Sequence, residues 1–314
     1  MISPSQKPEN LIRSFAGEIG FDTCGFARCE NLEEWRPFYA DFIAREGHAG
    51  FAYLKNNLEK RLNPNLILPG AKSVIALLLN YFPSEPDPDD NTFIISKYAR
   101  GKDYHPLMKL KMQMLVDEIR KLDPASENRS FADSGALLEK VWGQRCGMGW
   151  QGKNTLLINK LQGSFHFIGI ILTTVELEPD APETDHCGSC TKCIDACPTG
   201  ALSTPWQLDI RRCISYYTIE NKEDVPEELA AKFQNRIFGC DICQDACPWN
   251  RFSRTTAEPA FTIKPPWLSW KKEQWLELTQ DRFRELFAGT AIERTGYEHF
   301  MRMIRMNYET SGFH

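Results

Sequence analysis

Apolar positions early in the chain recur at helical spacing. Over residues 6 to 60, Trp35, Tyr39 and Phe42 stand four and three apart and the chain turns at Gly47, so this segment reads as helical with a core-facing aromatic stripe. The run from Ser73 to Tyr81 is different: Val-Ile-Ala-Leu-Leu-Leu is short and continuous, the pattern of a strand covered on both faces, and it stops at Pro83. From His105 to Leu122 the residues Met108, Met112, Leu115, Ile119 and Leu122 again repeat at four and three, which predicts an amphipathic helix with lysines outward. A short strand at Ser130 to Ala132, a helix about Leu137 to Arg145 stopped by Gly147, and strands near Thr155 to Ile158 and Phe165 to Val175 follow. Such alternation predicts an α/β domain, α+β in its layering, over residues 1–180.

Two acidic, proline-containing stretches punctuate the pattern. Ser84 to Asn91 reads as an exposed loop, and Glu178 to Thr184 as the domain boundary. Beyond it lie a cysteine-rich segment, residues 181–255, and a short helical extension, 256–314, with helical patterns at 272–288 and 291–306. No stretch approaches the roughly 18 to 20 apolar residues that span a bilayer, and Met1 to Asn10 lacks a signal core, so no membrane contact and a cytoplasmic location are expected. The net charge of -5 disfavours a general nucleic-acid binder but leaves room for a local basic groove.

Cysteine usage changes the picture most. Eight of eleven cysteines lie between Cys187 and Cys247, in a chain whose reducing compartment would not keep disulfides. Cys187, Cys190, Cys193 and Cys197 with Pro198 give C-x2-C-x2-C-x3-C-P, the spacing by which bacterial ferredoxins hold four-iron (4Fe-4S) clusters. Cys240, Cys243, Cys247 and Pro248 form a second run one ligand short, and Cys213 stands ready to complete it. In such pairs the fourth cysteine of each run ligates the other cluster. That rule assigns Cys187, Cys190, Cys193 and Cys247 to one cluster, and Cys197, Cys213, Cys240 and Cys243 to the other. Paired zinc sites are the alternative, disfavoured because zinc knuckles do not need this spacing. Cys24, Cys29 and Cys146 fall outside both runs and read as small buried hydrophobes.

Several blocks together resemble the epoxyqueuosine reductases, which reduce the epoxide of epoxyqueuosine in tRNA to queuosine. They are Asp133-Ser-Gly-Ala-Leu-Leu-Glu139, Gly149-Trp-Gln-Gly-Lys-Asn-Thr155, the two cysteine runs, Arg212-Cys-Ile-Ser-Tyr216 and Thr218-Ile-Glu220. Upstream, Lys60-Arg61, Pro69-Gly-Ala71 and Tyr98-Ala-Arg-Gly-Lys-Asp-Tyr-His105 extend the likeness, which runs from about Tyr53 to Asn250. The resemblance implies that the first domain holds cobalamin in a fold similar to that of reductive dehalogenases, and that a ferredoxin-like domain with two four-iron clusters reduces its cobalt.

By the same resemblance Asp133 is the matching position for the acid that protonates the departing oxygen, its pKa raised beside the apolar corrin face; alone it would read as a helix N-cap. Tyr104 and His105 are expected in the same pocket, and Asn56, Tyr98, Lys153, Asn154 and Asp241 as further cofactor contacts. Arg211, Arg212, Lys232, Arg236, Arg251 and Arg254 would track a tRNA backbone. Many members continue into helical repeats, whereas this chain ends soon after Phe287-Ala-Gly-Thr290. A monomer fed by an unidentified electron donor is expected. Two other classes compete: a ferredoxin-type electron carrier without a second cofactor, and a cobalamin-dependent reductive dehalogenase.

Overall fold

The computed structural model describes residues 7–45, 49, 52–89, 91–262 and 264–310. Its centre is a four-stranded sheet of β1 (Thr23–Arg28), β2 (Ser73–Asn80), β3 (Asn128–Phe131) and β4 (His166–Thr173), in the spatial order β1-β2-β4-β3 and antiparallel at every pairing. The continuous apolar run of β2 is explained by cover on both sides. Ile75, Leu77 and Leu79 pack with Ile12 and Ala16 of helix α1 (Pro8–Ile19) and with Met108, Met112, Leu115 and Ile119 of helix α2 (Tyr104–Leu122). Val74, Ala76 and Leu78 face the other way, onto Val141 and Trp142 of helix α3 (Glu139–Arg145) and onto Leu62 and Leu68. Leu77 is fully buried. Leu77→Ala is therefore expected to cost about 2–5 kcal/mol, seen as a lower Tm with unchanged far-UV circular dichroism; an unchanged Tm would mean that the site is not packed as described.

Strand β1 corrects the helical reading of residues 6 to 60. Its Thr-Cys-Gly-Phe-Ala-Arg sequence carries a glycine where a strand former would be expected, and so gave no strand signal. The glycine serves a close approach: a Cβ on Gly25 would lie 2.1 Å from the Cys146 carbonyl oxygen at the end of α3. Trp35, Tyr39 and Phe42 are half-buried rather than core, the last two on a helix at Arg36–Ala44. The expected turn at Gly47 lies outside the described residues. The strand expected from Thr155 shrinks to Leu157–Ile158, paired with Trp150–Gln151.

A second core gathers sequence-distant pieces. Phe93 and Ile95, Ile214, Phe233 and Phe238, and then Trp275, Phe287, Phe300 and Ile304 share one cluster. Within it Ile94–Ile95 pairs in parallel with Arg236–Phe238. The helical pattern at 272–288 divides into Lys272–Leu276 and Gln280–Phe287, because the Thr279 side chain accepts from Arg282 N and starts a new helix. Helix α4 (Tyr297–Thr310) closes the chain. These C-terminal helices form the back wall of the cysteine-rich segment.

Two loops are tied more firmly than their composition suggests. Asp87, in the acidic stretch expected to be merely exposed, binds both Lys97 and Arg100. Asp180, in the Glu178 to Thr184 stretch, accepts from Phe26 N at 2.8 Å and from Arg13 at 2.6 Å. No helix of the described residues is long and apolar enough to cross a membrane.

Candidate active site: two cysteine quartets and an acid-bearing hollow

The eight cysteines of the two runs fall into two groups in space. Cys247 lies beside Cys187, Cys190 and Cys193; Cys243 lies beside Cys197, Cys213 and Cys240. Each run lends its last cysteine to the other group because a short helical turn, Lys192–Asp195 or Ile242–Asp245, carries the chain across between them. The first group lines a cavity of about 220 Å³ together with Lys153, His186 and Trp249. In the second group burial pushes the Cys213, Cys240 and Cys243 thiols up, that of Cys240 to about 12, since thiolates here would be desolvated and would repel one another. A cationic iron core removes that penalty. Among the described residues no three histidine, cysteine or carboxylate side chains converge tightly enough to share one metal ion.

Supports for the first quartet come from the Gly149 to Thr155 block. The Trp150 indole N–H donates to Cys187 Sγ at 3.4 Å. Lys153 donates to the carbonyls of Gly188 and Cys190, at 2.6 and 3.0 Å, which fixes the loop bearing the first two cysteines. Asn154 is buried and donates to the Cys243 carbonyl at 3.3 Å, so adjacent residues of one block steady both groups.

Asp133 sits at the mouth of the loop between β3 and α3, exposed and in the left-handed backbone region at φ 53°. The Tyr104 hydroxyl donates to its Oδ2 at 2.8 Å. Tyr104 in turn is stacked between Phe167 and His105, with ring centroids 4.0 Å away on each side, and meets the edge of Tyr98. His105 Nδ1 is 2.7 Å from Asp103 Oδ1. Burial, then the neighbouring Asp133 carboxylate, raises the Tyr104 phenol's pKa, so it stays protonated and donates.

Two α3 residues complete this wall. Glu139 accepts from the Asp133 backbone N–H at 2.7 Å, and burial, reinforced by Asp133, pushes its carboxyl up to about 8. Lys140 is exposed to water, yet desolvation lowers its ammonium's pKa. A side chain that is both reachable and desolvated lies deep in a concavity. Lys140 donates to the Thr155 carbonyl at 2.9 Å and feels the charge of both Asp133 and Cys243, so its ammonium stands within electrostatic reach of Asp133 and of the second cysteine quartet.

Residues 186–250 match the family model described as a 4Fe-4S double cluster binding domain, and residues 61–134 match the one described as epoxyqueuosine reductase QueG. An epoxyqueuosine reductase of Cellulophaga algicola is 42% identical over 303 residues, covering 96% of this chain and 99% of that one. The chain belongs to the epoxyqueuosine reductase family. Solved epoxyqueuosine reductases superpose closely. One, crystallised with an epoxyqueuosine-modified tRNA-Tyr stem loop, gives a TM-score of 0.86 at 31% identity over 96% of this chain and 80% of that chain. Another, from Bacillus subtilis with its catalytic aspartate loop swung out of the active site, gives 0.86 at 30% identity over 96% and 81%. Membership makes this chain an oxidoreductase, and the double-cluster match sets its iron-sulfur complement at two four-iron clusters.

Set within the epoxyqueuosine reductase family, the other expected contacts spread over three places. Tyr98 borders the hollow beside Tyr104. Asn56 is exposed on the turn after Ala52–Lys55. Asp241 is buried and accepts from Ser96 Oγ and from Lys97 N, joining the second cysteine run to the chain just before Tyr98. The basic residues Arg211, Arg212, Lys232, Arg251 and Arg254 are exposed and Arg236 is half-buried; Arg211 reaches Asp209, and Arg212 the Thr199 carbonyl. Sequence reasoning gave Glu139 and Lys140 no role, because both pass for ordinary first-turn residues of an amphipathic helix. The spacing of Glu139, six residues after Asp133, was the available signal.

Proposed function

We propose that the chain reduces the epoxide of epoxyqueuosine at the wobble position of tRNA to the alkene of queuosine, the last step in making that nucleoside. Two four-iron clusters would supply the electrons, and a cobalamin held beside Asp133 would supply the reducing cobalt. The observation that carries this reading is that Tyr104 holds Asp133 while Lys140, beside it, feels the charge both of Asp133 and of Cys243 in the Cys197, Cys213, Cys240 and Cys243 quartet.

The residues suit these groups. Cys187, Cys190, Cys193 and Cys247 would hold one cluster, the outer, and Cys197, Cys213, Cys240 and Cys243 the other, the inner. The hollow offers phenols, a carboxyl and an ammonium, donors and acceptors matched to the amide-rimmed edge of a corrin. Tyr98, Tyr104 and His105 belong to that surround, Lys153, Asn154 and Asp241 act through the loops they hold, and Asn56 would reach the corrin edge from its exposed turn. When bound, cobalamin supplies a strongly reducing cobalt, chemistry that no side chain provides.

The protein's part is protonation and positioning. Opening the epoxide to the alkene consumes two electrons and two protons and releases one water. Tyr104 occupies Asp133 Oδ2, which leaves the other carboxyl oxygen to carry the proton to the departing oxygen. Its stacking between His105 and Phe167 holds that geometry. The exposed basic residues from Arg211 to Arg254 give the tRNA backbone its contacts. We assign residues 1–180 to the corrin and substrate, 181–255 to electron supply and 256–314 to their support, in a cytoplasmic monomer served by a separate electron donor.

Anaerobic titration of the cluster-loaded protein with cobalamin tests the role of the hollow. A saturable change in the corrin spectrum at one equivalent per chain is expected. An unperturbed spectrum would remove cobalamin and favour a plain electron carrier.

A further inference from the structure

The loop that carries Asp133 runs from the end of β3 at Phe131 to the first residue of α3, Glu139. None of its residues 132–138 belongs to a helix or strand, and Asp133 adopts a left-handed conformation, which aspartate enters more readily than most residues but which is not its usual state. Something must hold it there. Two hydrogen bonds do: Tyr104 grips the side chain, and Glu139 reaches back across the neck of the loop to the Asp133 backbone N–H. The loop's foot is packed as well, since a Cβ on Gly135 would lie 2.4 Å from the Phe131 ring.

We propose that Glu139 is a positioning residue, the latch that keeps the Asp133 loop closed over the hollow so that the acid faces the substrate. This rests on the reading of Asp133 as the proton donor. A solved Bacillus subtilis relative carries its catalytic aspartate loop swung out of the active site. In this chain the Tyr104 and Glu139 hydrogen bonds both reach Asp133, and of the two the Glu139 bond engages only the backbone of residue 133. The latch needs an acceptor oxygen at this point and does not need a charge. Burial and the Asp133 carboxylate favour the protonated form of Glu139, so a neutral amide is a fair replacement.

The test compares Glu139→Gln with Glu139→Leu in the holoenzyme, with turnover kinetics and amide hydrogen exchange read by mass spectrometry. Losing one desolvated hydrogen bond lowers the ratio of closed to open loop by roughly 10- to 100-fold. Glu139→Leu is expected to lower kcat by about tenfold with the KM for tRNA unchanged, and to speed exchange in residues 132–138 alone. Glu139→Gln keeps the acceptor and is expected to stay within about twofold of wild type in both readouts. Glu139→Leu with wild-type exchange at residues 132–138 would overturn the latch. So would Glu139→Gln falling as far as Glu139→Leu, which would give Glu139 a role that depends on its proton. Inactivity of the wild-type enzyme towards the tRNA would instead count against the function itself, and exchange of the loop would still report on the latch.

Discussion

Asp133→Asn is expected to retain both iron-sulfur clusters and cobalamin while losing turnover by about 100- to 10,000-fold, the usual contribution of a positioned general acid. The substitution isolates the proton. Asparagine has the same shape, accepts the Tyr104 hydrogen bond through its carbonyl oxygen, and enters the left-handed backbone region as readily as aspartate. The fold and the Glu139 contact, which uses only the backbone N–H of residue 133, are therefore preserved. Single-turnover conversion of epoxyqueuosine tRNA by pre-reduced enzyme reads the effect directly. A wild-type rate would transfer the proton-donor role to another group.

Cys213→Ser is expected to remove the inner cluster and spare the outer. Cys213 is the ligand that stands outside both runs, and the fold places it beside Cys197, Cys240 and Cys243 by ending the short helical turn Ile210–Arg212 against them. Iron per chain should fall by about half, and the low-temperature paramagnetic resonance spectrum of the reduced protein should show one cluster in place of an interacting pair. Turnover should be lost even with cobalamin bound, because this quartet is the one whose Cys243 lies within electrostatic reach of Lys140, beside Asp133. Unchanged iron and an unchanged spectrum would mean that the second run draws its fourth ligand from elsewhere.

What the sequence revealed tracks how local each signal is. The apolar run of β2 and the repeating methionines of α2 are written in neighbouring residues, and both elements lie where the pattern puts them. Cysteine spacing is equally local. Strand β1 was illegible because Gly25 answers to a carbonyl at Cys146, more than a hundred positions away. The second core was illegible for the same reason: Phe93, Phe238 and Trp275 meet only in three dimensions. Lys153 and Asp241 stood out as cofactor candidates because each lies within a recognisable block. The structure shows what each holds, Lys153 the loop at Gly188 and Cys190, and Asp241 the chain at Ser96 and Lys97. Glu139 escaped notice because a latch leaves no composition signal, only a hydrogen bond that the loop's return brings about.

The most direct test of the account is anaerobic incubation of the cluster-loaded protein with a low-potential reductant and tRNA carrying epoxyqueuosine, with and without cobalamin, followed by mass spectrometry of the nucleosides. Loss of one oxygen, giving queuosine, is expected only where cobalamin is present. An unchanged nucleoside from protein with both clusters intact and cobalamin bound would contradict it.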